Sequence, residues 1–275
     1  MNRSDFHNRV AIITGASSGI GRSTAIAFAR QGIRLALAAR TPESLCKVEQ
    51  EIRAYHDDVF VRPTDVTVRE QADDLVQETV RRFGNIDIIV CNAGEYVRGA
   101  VQNLTVEDFD RALDVNFYGA LYLILAALPV MVKQRSGHIV VVSSVDGKKG
   151  LPLDAPYVAS KFAITGFMDV LRQELRGTGV HALTVLPGRV DTPMIAHLNV
   201  PWVSKKVSSE RVARAIVRGL KRGHSEMIVP PVGPRGLVIC NSISPRLADF
   251  LVQMFELEGR EKASPQQQSR NEKVQ

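Results

Sequence analysis

The amino-acid sequence predicts a single α/β domain of three layers, in which a doubly wound parallel sheet of about seven strands lies between helices. Short β-branched runs, apolar nearly throughout, alternate along the chain with longer helical patterns. Such runs are typical of strands that are buried on both faces of a parallel sheet. Parallel neighbours need right-handed helical crossovers, so the helices are expected to cover both faces. The length of 275 residues is sufficient for one large domain with a well-buried core.

The individual elements follow from these patterns and from the residues at their ends. Thr41 can cap a helix that begins at Pro42, and Gly84 lies just past a helix end, where a left-handed residue is favoured. Asn116 and Pro129 lie inside the longest helix, where either residue can bend it. The predicted strands are Val10–Thr14, Ile33–Ala39, Val59–Arg62, Ile86–Cys91, His138–Ser143, His181–Leu186 and Glu226–Val229. The predicted helices are Gly19–Gln31, Pro42–His56, Glu70–Phe83, Val106–Gln134, Tyr157–Arg176 and Ser209–Arg222.

The chain divides into three segments. Residues 1–230 are assigned to the α/β domain, residues 231–258 to a helical extension packed on it, and residues 259–275 to a polar, disordered tail. The extension can cover a substrate site, form a subunit contact or touch a membrane as an amphipathic segment. We favour packing on the domain.

Composition argues against several classes of protein. The net charge is +6, but the basic residues are scattered and aromatic residues make up only 6%, so nucleic-acid binding is not indicated. Cys46, Cys91 and Cys240 are far apart and lack metal-ligand spacing. They predict reduced thiols, a cytoplasmic location and no metal site. The longest apolar run, Leu121–Val132, is too short to cross a bilayer and contains Pro129, so we expect a buried helix and no transmembrane segment.

A glycine-rich turn, "TGASSGIG", follows the first predicted strand and opens the first helix. Gly15, Gly19 and Gly21 allow positive φ angles and close approach of the backbone to a pyrophosphate. The amides at the helix N-terminus then supply hydrogen-bond donors to the phosphates. The turn therefore predicts a Rossmann-like nucleotide site, although three glycines in a turn can also be purely structural.

Several motifs in order resemble the signatures of the short-chain dehydrogenase/reductase family. The resemblance extends from about Val10 to Met194, and it implies a nicotinamide-dependent oxidoreductase. The motifs are "TGASSGIG", Asp65 in "DVT", "CNAG" over Cys91–Gly94, Asn116 in "DVNFYG", Ser144 in "VVSSVDG", "YVASK" over Tyr157–Lys161, and "PGRVDTPM" over Pro187–Met194. On this resemblance the reaction interconverts a ketone and a secondary alcohol.

Tyr157 and Lys161 are one helical turn apart and project from the same side of their helix. Tyr157 is assigned as the general acid in reduction and the general base in oxidation. The ammonium of Lys161 is expected to lower the pKa of the phenol, which is about 10 when free. Ser144 is expected to orient the substrate oxygen, since it lies at the carboxyl edge of the sheet. By resemblance, Asn116 holds a water behind the lysine, and Lys161 holds the nicotinamide ribose.

The resemblance also implies the remaining cofactor contacts. The turn contributes Ser17, Ser18 and Ile20 beside its glycines; Asp65 and Val66 contact the adenine; Asn92, Ala93 and Gly94 line the adenosine-ribose side; Pro187, Gly188, Val190 and Thr192 lie at the nicotinamide.

The end of the second strand predicts NADP(H) rather than NAD(H). An NAD-selective enzyme of this class carries an acidic residue there to bind the ribose 2′-hydroxyl. Here the position is Ala39 and Arg40 follows. A guanidinium is well shaped to bind a 2′-phosphate through paired hydrogen bonds.

Substrate contacts are expected from loops at the same sheet edge. The predicted contacts beside Ser144 and Tyr157 are Glu95, Tyr96, Leu151, Met194 and Trp202. Lys148, Lys149, Lys205 and Lys206 suggest a basic mouth around an apolar pocket. This mixture suits a hydrophobic, steroid-like ketone or an anionic 3-oxoacyl thioester.

Two alternatives concern the class of protein and its assembly. The chain is similar to 3-oxoacyl-carrier-protein reductases, with Arg135 at one of their docking positions, but Thr178 replaces the other basic residue. A non-catalytic NADP-binding regulator on the same fold remains open as an alternative to an enzyme. By resemblance, the helices Val106–Gln134 and Tyr157–Arg176 form a homodimer or homotetramer.

Overall fold

A computed structural model describes residues 6–261 and confirms the predicted fold class. Seven parallel strands form the central sheet in the order β10-β6-β5-β4-β1-β2-β3, once the strands are numbered along the chain. These strands are β1 Val10–Thr14, β2 Arg34–Ala39, β3 Val59–Pro63, β4 Ile88–Cys91, β5 Gly137–Val142, β6 Val180–Pro187 and β10 Glu226–Val229. Four two-residue strands lie outside this sheet: β7 Val190–Asp191, β8 Leu198–Asn199, β9 Val207–Ser208 and β11 Arg260–Glu261. The order reverses between β1 and β4, which leaves a crevice at their carboxyl ends.

The helices are α1 Gly19–Ala29, α2 Pro42–Arg53, α3 Arg69–Phe83, α4 Val106–Leu113, α5 Gly119–Gln134, α6 Ala155–Glu174, α7 Ser209–Arg222, α8 Pro234–Ile243 and α9 Pro245–Met254. Most predicted boundaries agree with these to within three residues. Helix α6 begins two residues earlier than predicted because Pro156 is accommodated in its first turn.

The predicted long helix is continuous over Val106–Gln134, but a π-helical turn at Asp114–Tyr118 separates α4 from α5. Asn116, one of the two predicted bend positions, lies in this turn. Among the described residues this helix is the one long and apolar enough to pass a composition test for membrane crossing. Core helices of soluble proteins pass the same test, and Ile124 and Met131 are fully buried against the sheet.

The core consists of two apolar layers, one on each face of the sheet. On one face, Phe28 and Ile216 pack from α1 and α7. On the other face, Leu75 and Met168 pack from α3 and α6. This arrangement is the three-layer architecture expected from apolar strands.

The C-terminal extension forms α8 and α9, and the chain then returns to the domain. Arg260–Glu261 pair antiparallel with Leu198–Asn199. This is a correction to the sequence analysis, which assigned residues 259–275 to a disordered tail. Backbone hydrogen bonding to β8 orders the first residues of that segment, and residues 262–275 lie outside the described part of the chain.

Candidate active site

A cleft of about 680 Å³ lies at the carboxyl ends of the central strands. It brings together most of the residues that the sequence analysis named. The predicted cofactor residues that border it are Gly15, Ser17, Ser18, Gly19, Ile20, Arg40, Asp65, Val66, Asn92, Ala93, Gly94, Tyr157, Lys161, Pro187, Gly188, Val190 and Thr192. Of the predicted substrate contacts, Ser144, Tyr96, Leu151 and Met194 border it.

The glycine-rich turn has the backbone geometry that a nucleotide site requires. Gly15 and Gly19 have φ angles of 62° and 52°, in the left-handed region that favours glycine. Gly21 does not border the cleft within residues 6–261; a Cβ there would overlap the Gly15 carbonyl oxygen, so its role is close packing of the turn. The turn is held by Asn92, whose Nδ2 donates to the carbonyls of Thr14 at 3.0 Å and Gly15 at 3.3 Å.

The first turn of α1 fits a phosphate group. Its N-cap residue, Ser18, makes no side-chain capping bond within residues 6–261, and it borders the cleft beside Gly19. Backbone amides of a first helical turn lack intrahelical partners, and the helix dipole favours negative charge there. These residues therefore fit the pyrophosphate of a dinucleotide, and Arg40 lies at the far end of the same cleft.

Ser144 and Tyr157 lie together at the catalytic end of the cleft. Ser144 and Tyr157 both border the cleft, and the Ser144 hydroxyl acts to lower the pKa of the Tyr157 phenol. Ser144 Oγ donates to Asp146 Oδ2 at 3.2 Å. Ser143 points to the opposite side, where its Oγ lies 2.8 Å from Thr165 Oγ1. The alternation of side chains along extended backbone accounts for this division between the two serines.

Lys161 is buried beneath Tyr157, with its Nζ 5.4 Å from the centre of the phenol ring. The Nζ donates to the carbonyl of Val142 at 3.2 Å. Burial lowers the pKa of Lys161 to about 8, because removing an ammonium from water disfavours its charged form.

The pKa of Tyr157 differs from the sequence-based expectation. The nearby lysine was expected to lower it, whereas burial raises it well above its usual value. The negative charge of Asp146 raises it further, and the Ser144 hydroxyl and the Arg189 charge oppose the shift. Desolvation of the phenolate outweighs these opposing effects. Tyr157 is therefore a protonated phenol at neutral pH.

Asn116 is buried in the π-helical turn and is fully hydrogen-bonded. Its Oδ1 accepts from the Glu95 amide at 2.9 Å, and its Nδ2 donates to the Glu95 carbonyl at 2.9 Å and to Ser160 Oγ at 3.0 Å. The side chain thus fixes the strand-to-loop segment after Gly94. The water-holding role implied by the family resemblance stays a prediction.

Two of the predicted substrate contacts lie outside the main cleft. Within the described part of the chain, Glu95 and Trp202 do not border the main cleft. The Glu95 carboxylate instead pairs with Arg111 at 2.9 Å. Trp202 is 85% exposed at the start of a 3₁₀ turn, and the following residue, Val203, borders the cleft in its place.

Two of the four lysines in the predicted basic mouth are neutralised by acids. Lys148 pairs with Glu226 at 2.8 Å, and Lys149 pairs with Asp249 at 2.5 Å. Lys206 donates to the Ile195 carbonyl at 2.7 Å. The sequence analysis treated these four lysines as an exposed basic surface, but three of them bind partners elsewhere in the chain.

Three residues that the sequence analysis missed form a buried cluster with the predicted Tyr96, beside Tyr157. Asp154 is fully buried, with Arg98 Nη1 at 3.0 Å from its Oδ1 and Arg189 Nη2 at 3.5 Å from its Oδ2. Tyr96 Oη donates to Asp154 Oδ1 at 2.6 Å, and the ring of Tyr96 lies edge-on to Tyr157, with centroids 5.0 Å apart. Burial, with Asp154 adding to it, raises the pKa of Tyr96 to about 12.

The two arginines of this cluster also hold the C-terminal segment in place. Arg98 donates to the carbonyls of Glu258 at 2.9 Å and Gly259 at 3.0 Å. Arg189 donates to the Glu258 carbonyl at 3.1 Å. The cluster therefore joins the end of the extension to the wall of the cleft.

Asp146 is a further buried acid that the sequence analysis did not single out. It borders the cleft two residues after Ser144, and its amide donates to Ser144 Oγ at 3.1 Å. Burial raises its pKa to about 6, with the Arg189 charge opposing the shift. Its position inside "VVSSVDG" was the available signal.

Comparison with known proteins places this geometry in a family. The sequence pattern described as short chain dehydrogenase matches residues 9–201. An uncharacterized oxidoreductase of Staphylococcus aureus is 35% identical over 229 residues, which cover 82% of this chain and 98% of that protein. A short chain dehydrogenase/reductase from Burkholderia phymatum in complex with NAD has a TM-score of 0.81 and 25% identity, over 88% of this chain and 96% of that one. An alcohol dehydrogenase from the archaeon Thermococcus sibiricus, complexed with 5-hydroxy-NADP, has a TM-score of 0.73 and 28% identity, over 80% and 95%.

Proposed function

We propose a function for this chain on the basis of its family: it belongs to the short-chain dehydrogenase family and is an oxidoreductase of the CH-OH/C=O type. The proposed function is that of an NADP(H)-dependent reductase of hydrophobic ketones. The observation that carries this proposal is that Ser144, Tyr157 and Lys161, with Lys161 Nζ 5.4 Å from the centre of the phenol ring, border the same cleft as the glycine-rich turn, which fits a dinucleotide.

The residues at the catalytic end fit proton transfer to a carbonyl oxygen. The nicotinamide supplies a hydride to the carbonyl carbon when it is bound. Because burial raises its pKa, Tyr157 holds its proton at neutral pH, which is the state required to donate it to the oxygen. Ser144 orients that oxygen through its hydroxyl. Lys161 adds positive charge beneath the phenol and stabilises the phenolate that forms.

NADP(H) selectivity is proposed from the end of β2. Ala39 leaves no carboxylate that would repel a 2′-phosphate, and the exposed Arg40 borders the cleft there. Proteins of similar structure are known with NAD and with an NADP analogue, so the fold itself allows either cofactor.

The test is kcat/KM for NADPH and NADH in wild type and in Arg40→Asp. We expect a preference for NADPH that falls at least tenfold in the variant, because a bidentate phosphate contact is replaced by repulsion. Lys47→Asp is the matched control: it makes the same change of charge on an exposed position of α2 outside the cleft. A wild-type preference for NADH would contradict the proposal.

The substrate is proposed to be an uncharged, hydrophobic ketone. Leu151, Met194, Ile195 and Phe255 border the cleft, while Lys148 and Lys149 are paired with acids. An anionic acyl thioester would find few uncommitted cations at this mouth. NADPH oxidation measured with a panel of cyclic ketones, diketones, steroids and acyl thioesters tests this. Turnover of the thioesters alone would contradict it, and turnover of none would favour a regulatory protein that binds NADP.

The assembly is proposed to be a homodimer or homotetramer through α5 and α6. Leu125 is 49% exposed on α5, and Phe162 and Val170 are 46% and 53% exposed on α6. Uncovered apolar side chains on two neighbouring helices are typical of a subunit interface. Light scattering after size-exclusion chromatography should give a molar mass that is a multiple of 30.3 kDa for the wild type. Val170→Glu should give a smaller molar mass. A monomer in the wild type would contradict the assignment.

A further inference from the structure

The two C-terminal helices carry a row of apolar side chains that the domain leaves uncovered. Ile239 and Ile243 on α8 are 53% and 80% exposed; Leu247, Phe250 and Met254 on α9 are 51%, 57% and 51% exposed. Spacings of three and four residues keep each set on one side of its helix, and the two helices pack on each other. We call these five residues the α8–α9 surface. A contiguous exposed apolar surface marks an interaction site.

The opposite side of α9 is anchored to the domain. Ala248 and Val252 are 0% and 3% exposed, and Asp249 pairs with Lys149 at 2.5 Å. Residues two positions apart lie on opposite sides of a helix, so Phe250 points away from the anchored side. The α8–α9 surface is therefore presented outward from a fixed helix.

The charges beside this surface are positive. Arg235 lies one turn before Ile239, and Arg246 lies one turn before Phe250; both arginines are exposed. Asp249 is the sole acidic residue between positions 230 and 255, and it is taken by Lys149. Among the described residues, neither arginine has an ion-pair partner within 4.0 Å.

These charges distinguish between two occupants of the surface. A two-fold contact would place the same surface on both sides, so Arg235 and Arg246 of each copy would meet a surface whose acidic residue between positions 230 and 255, Asp249, is already paired with Lys149. An anionic phospholipid bilayer accepts the apolar side chains and attracts both arginines. We propose that the α8–α9 surface docks the protein on an anionic phospholipid bilayer.

The docked orientation would also bring the cleft to the lipid. Leu237 of α8 and Leu251 of α9 border the cleft from the same two helices, as does Phe255, which follows α9. A ketone dissolved in the bilayer could then enter without crossing bulk water. This consequence rests on the proposed function, whereas the docking itself does not.

The test is sedimentation of the full chain with vesicles of phosphatidylcholine, and of phosphatidylcholine mixed with phosphatidylserine. We expect binding to the mixed vesicles, and about 30-fold weaker binding for Arg235→Gln with Arg246→Gln, since each cation near an anionic surface contributes about fivefold. Ile243→Glu with Phe250→Glu should abolish binding. Val106→Glu is the matched control, because Val106 is 71% exposed on α4, away from the extension. Each variant is shown to be folded if its midpoint of thermal unfolding equals that of the wild type.

Three results would overturn the proposal. The first is no sedimentation with mixed vesicles. The second is equal binding to neutral and mixed vesicles, which would remove the role of the arginines. The third is a change of assembly state, rather than of vesicle binding, in the Ile243→Glu and Phe250→Glu variant, which would assign the surface to a second copy of the chain.

Discussion

Replacing Arg98 with methionine should destabilise the protein far more than removing an arginine from its surface. The side chain of Arg98 is 6% exposed, and its Nη1 lies 3.0 Å from Asp154 Oδ1. Asp154 is fully buried, and its Oδ2 has no hydrogen-bond donor among the described residues. In Arg98→Met, the carboxylate keeps Arg189, at 3.5 Å, as its nearest cation.

The expected loss follows from that burial. Removing one partner from a buried ion pair costs about 3–5 kcal/mol. Here the buried carboxylate loses its shorter ion pair and keeps Arg189, at 3.5 Å. For a domain of this size each kcal/mol lowers the midpoint of thermal unfolding by about 2–4 °C, so the predicted decrease is about 6–20 °C. The lost bonds to the carbonyls of Glu258 and Gly259 act in the same direction.

Thermal unfolding at two pH values is the assay. Burial already raises the pKa of Asp154, and loss of a cation raises it further. A carboxyl whose pKa is raised by folding costs stability above that pKa and none once it is protonated. The deficit of Arg98→Met should therefore be larger at pH 8 than at pH 5.

Arg260→Met is the matched control for this experiment. Its pair with Glu256, at 2.6 Å, has side chains 76% and 52% exposed, so its loss should cost less than about 1 kcal/mol. If Arg98→Met unfolds at the temperature of this control, or its deficit is the same at both pH values, the reasoning about the buried cluster is refuted.

Two further predictions concern the cleft. Gly21→Ala should weaken NADPH binding at least tenfold in a fluorescence titration, because its Cβ would overlap the Gly15 carbonyl; Gly166→Ala, which has open space around it in α6, should leave binding unchanged. Equal binding by both variants would contradict the close packing of the turn. Folding raises the pKa of Asp146 from 3.8 to about 6, so the ionised carboxyl lowers the stability of the wild type as the pH rises through these values. The unfolding free energy of Asp146→Asn should therefore increase relative to that of the wild type by up to about 3 kcal/mol between pH 4 and pH 7. A difference between the two proteins that does not vary with pH would contradict this.

The fold could be predicted from the sequence because its determinants are local. Strand β1, Val10–Thr14, is apolar in its first four residues and is followed at once by the glycines of the turn. Helix α7 begins after its cap Ser208 and ends at Gly223, where the left-handed φ of 66° requires glycine. Such signals lie within a few residues of the element that they define.

The parts of the site that could not be predicted depend on contacts between distant segments. Arg98, Asp154 and Arg189 are 35 or more positions apart along the chain, and only the folded sheet brings them together. Glu95 was expected to contact the substrate, but its carboxylate forms an ion pair with Arg111 on α4. The pKa of Tyr157 was predicted in the wrong direction because sequence spacing reports the nearby lysine and does not report the depth of burial.

The central claim is that the Tyr157 phenol donates the proton in carbonyl reduction, and Tyr157→Phe tests it most directly. The measurement is single-turnover NADPH oxidation with a ketone substrate, beside fluorescence titration of NADPH binding. Removing a general acid should slow the reaction by about 100-fold to 10,000-fold, with cofactor affinity within about threefold of wild type. Tyr122→Phe, whose ring stacks on Tyr118 away from the cleft, should react at the wild-type rate. A Tyr157→Phe variant that turns over as fast as the Tyr122 control would contradict the assignment.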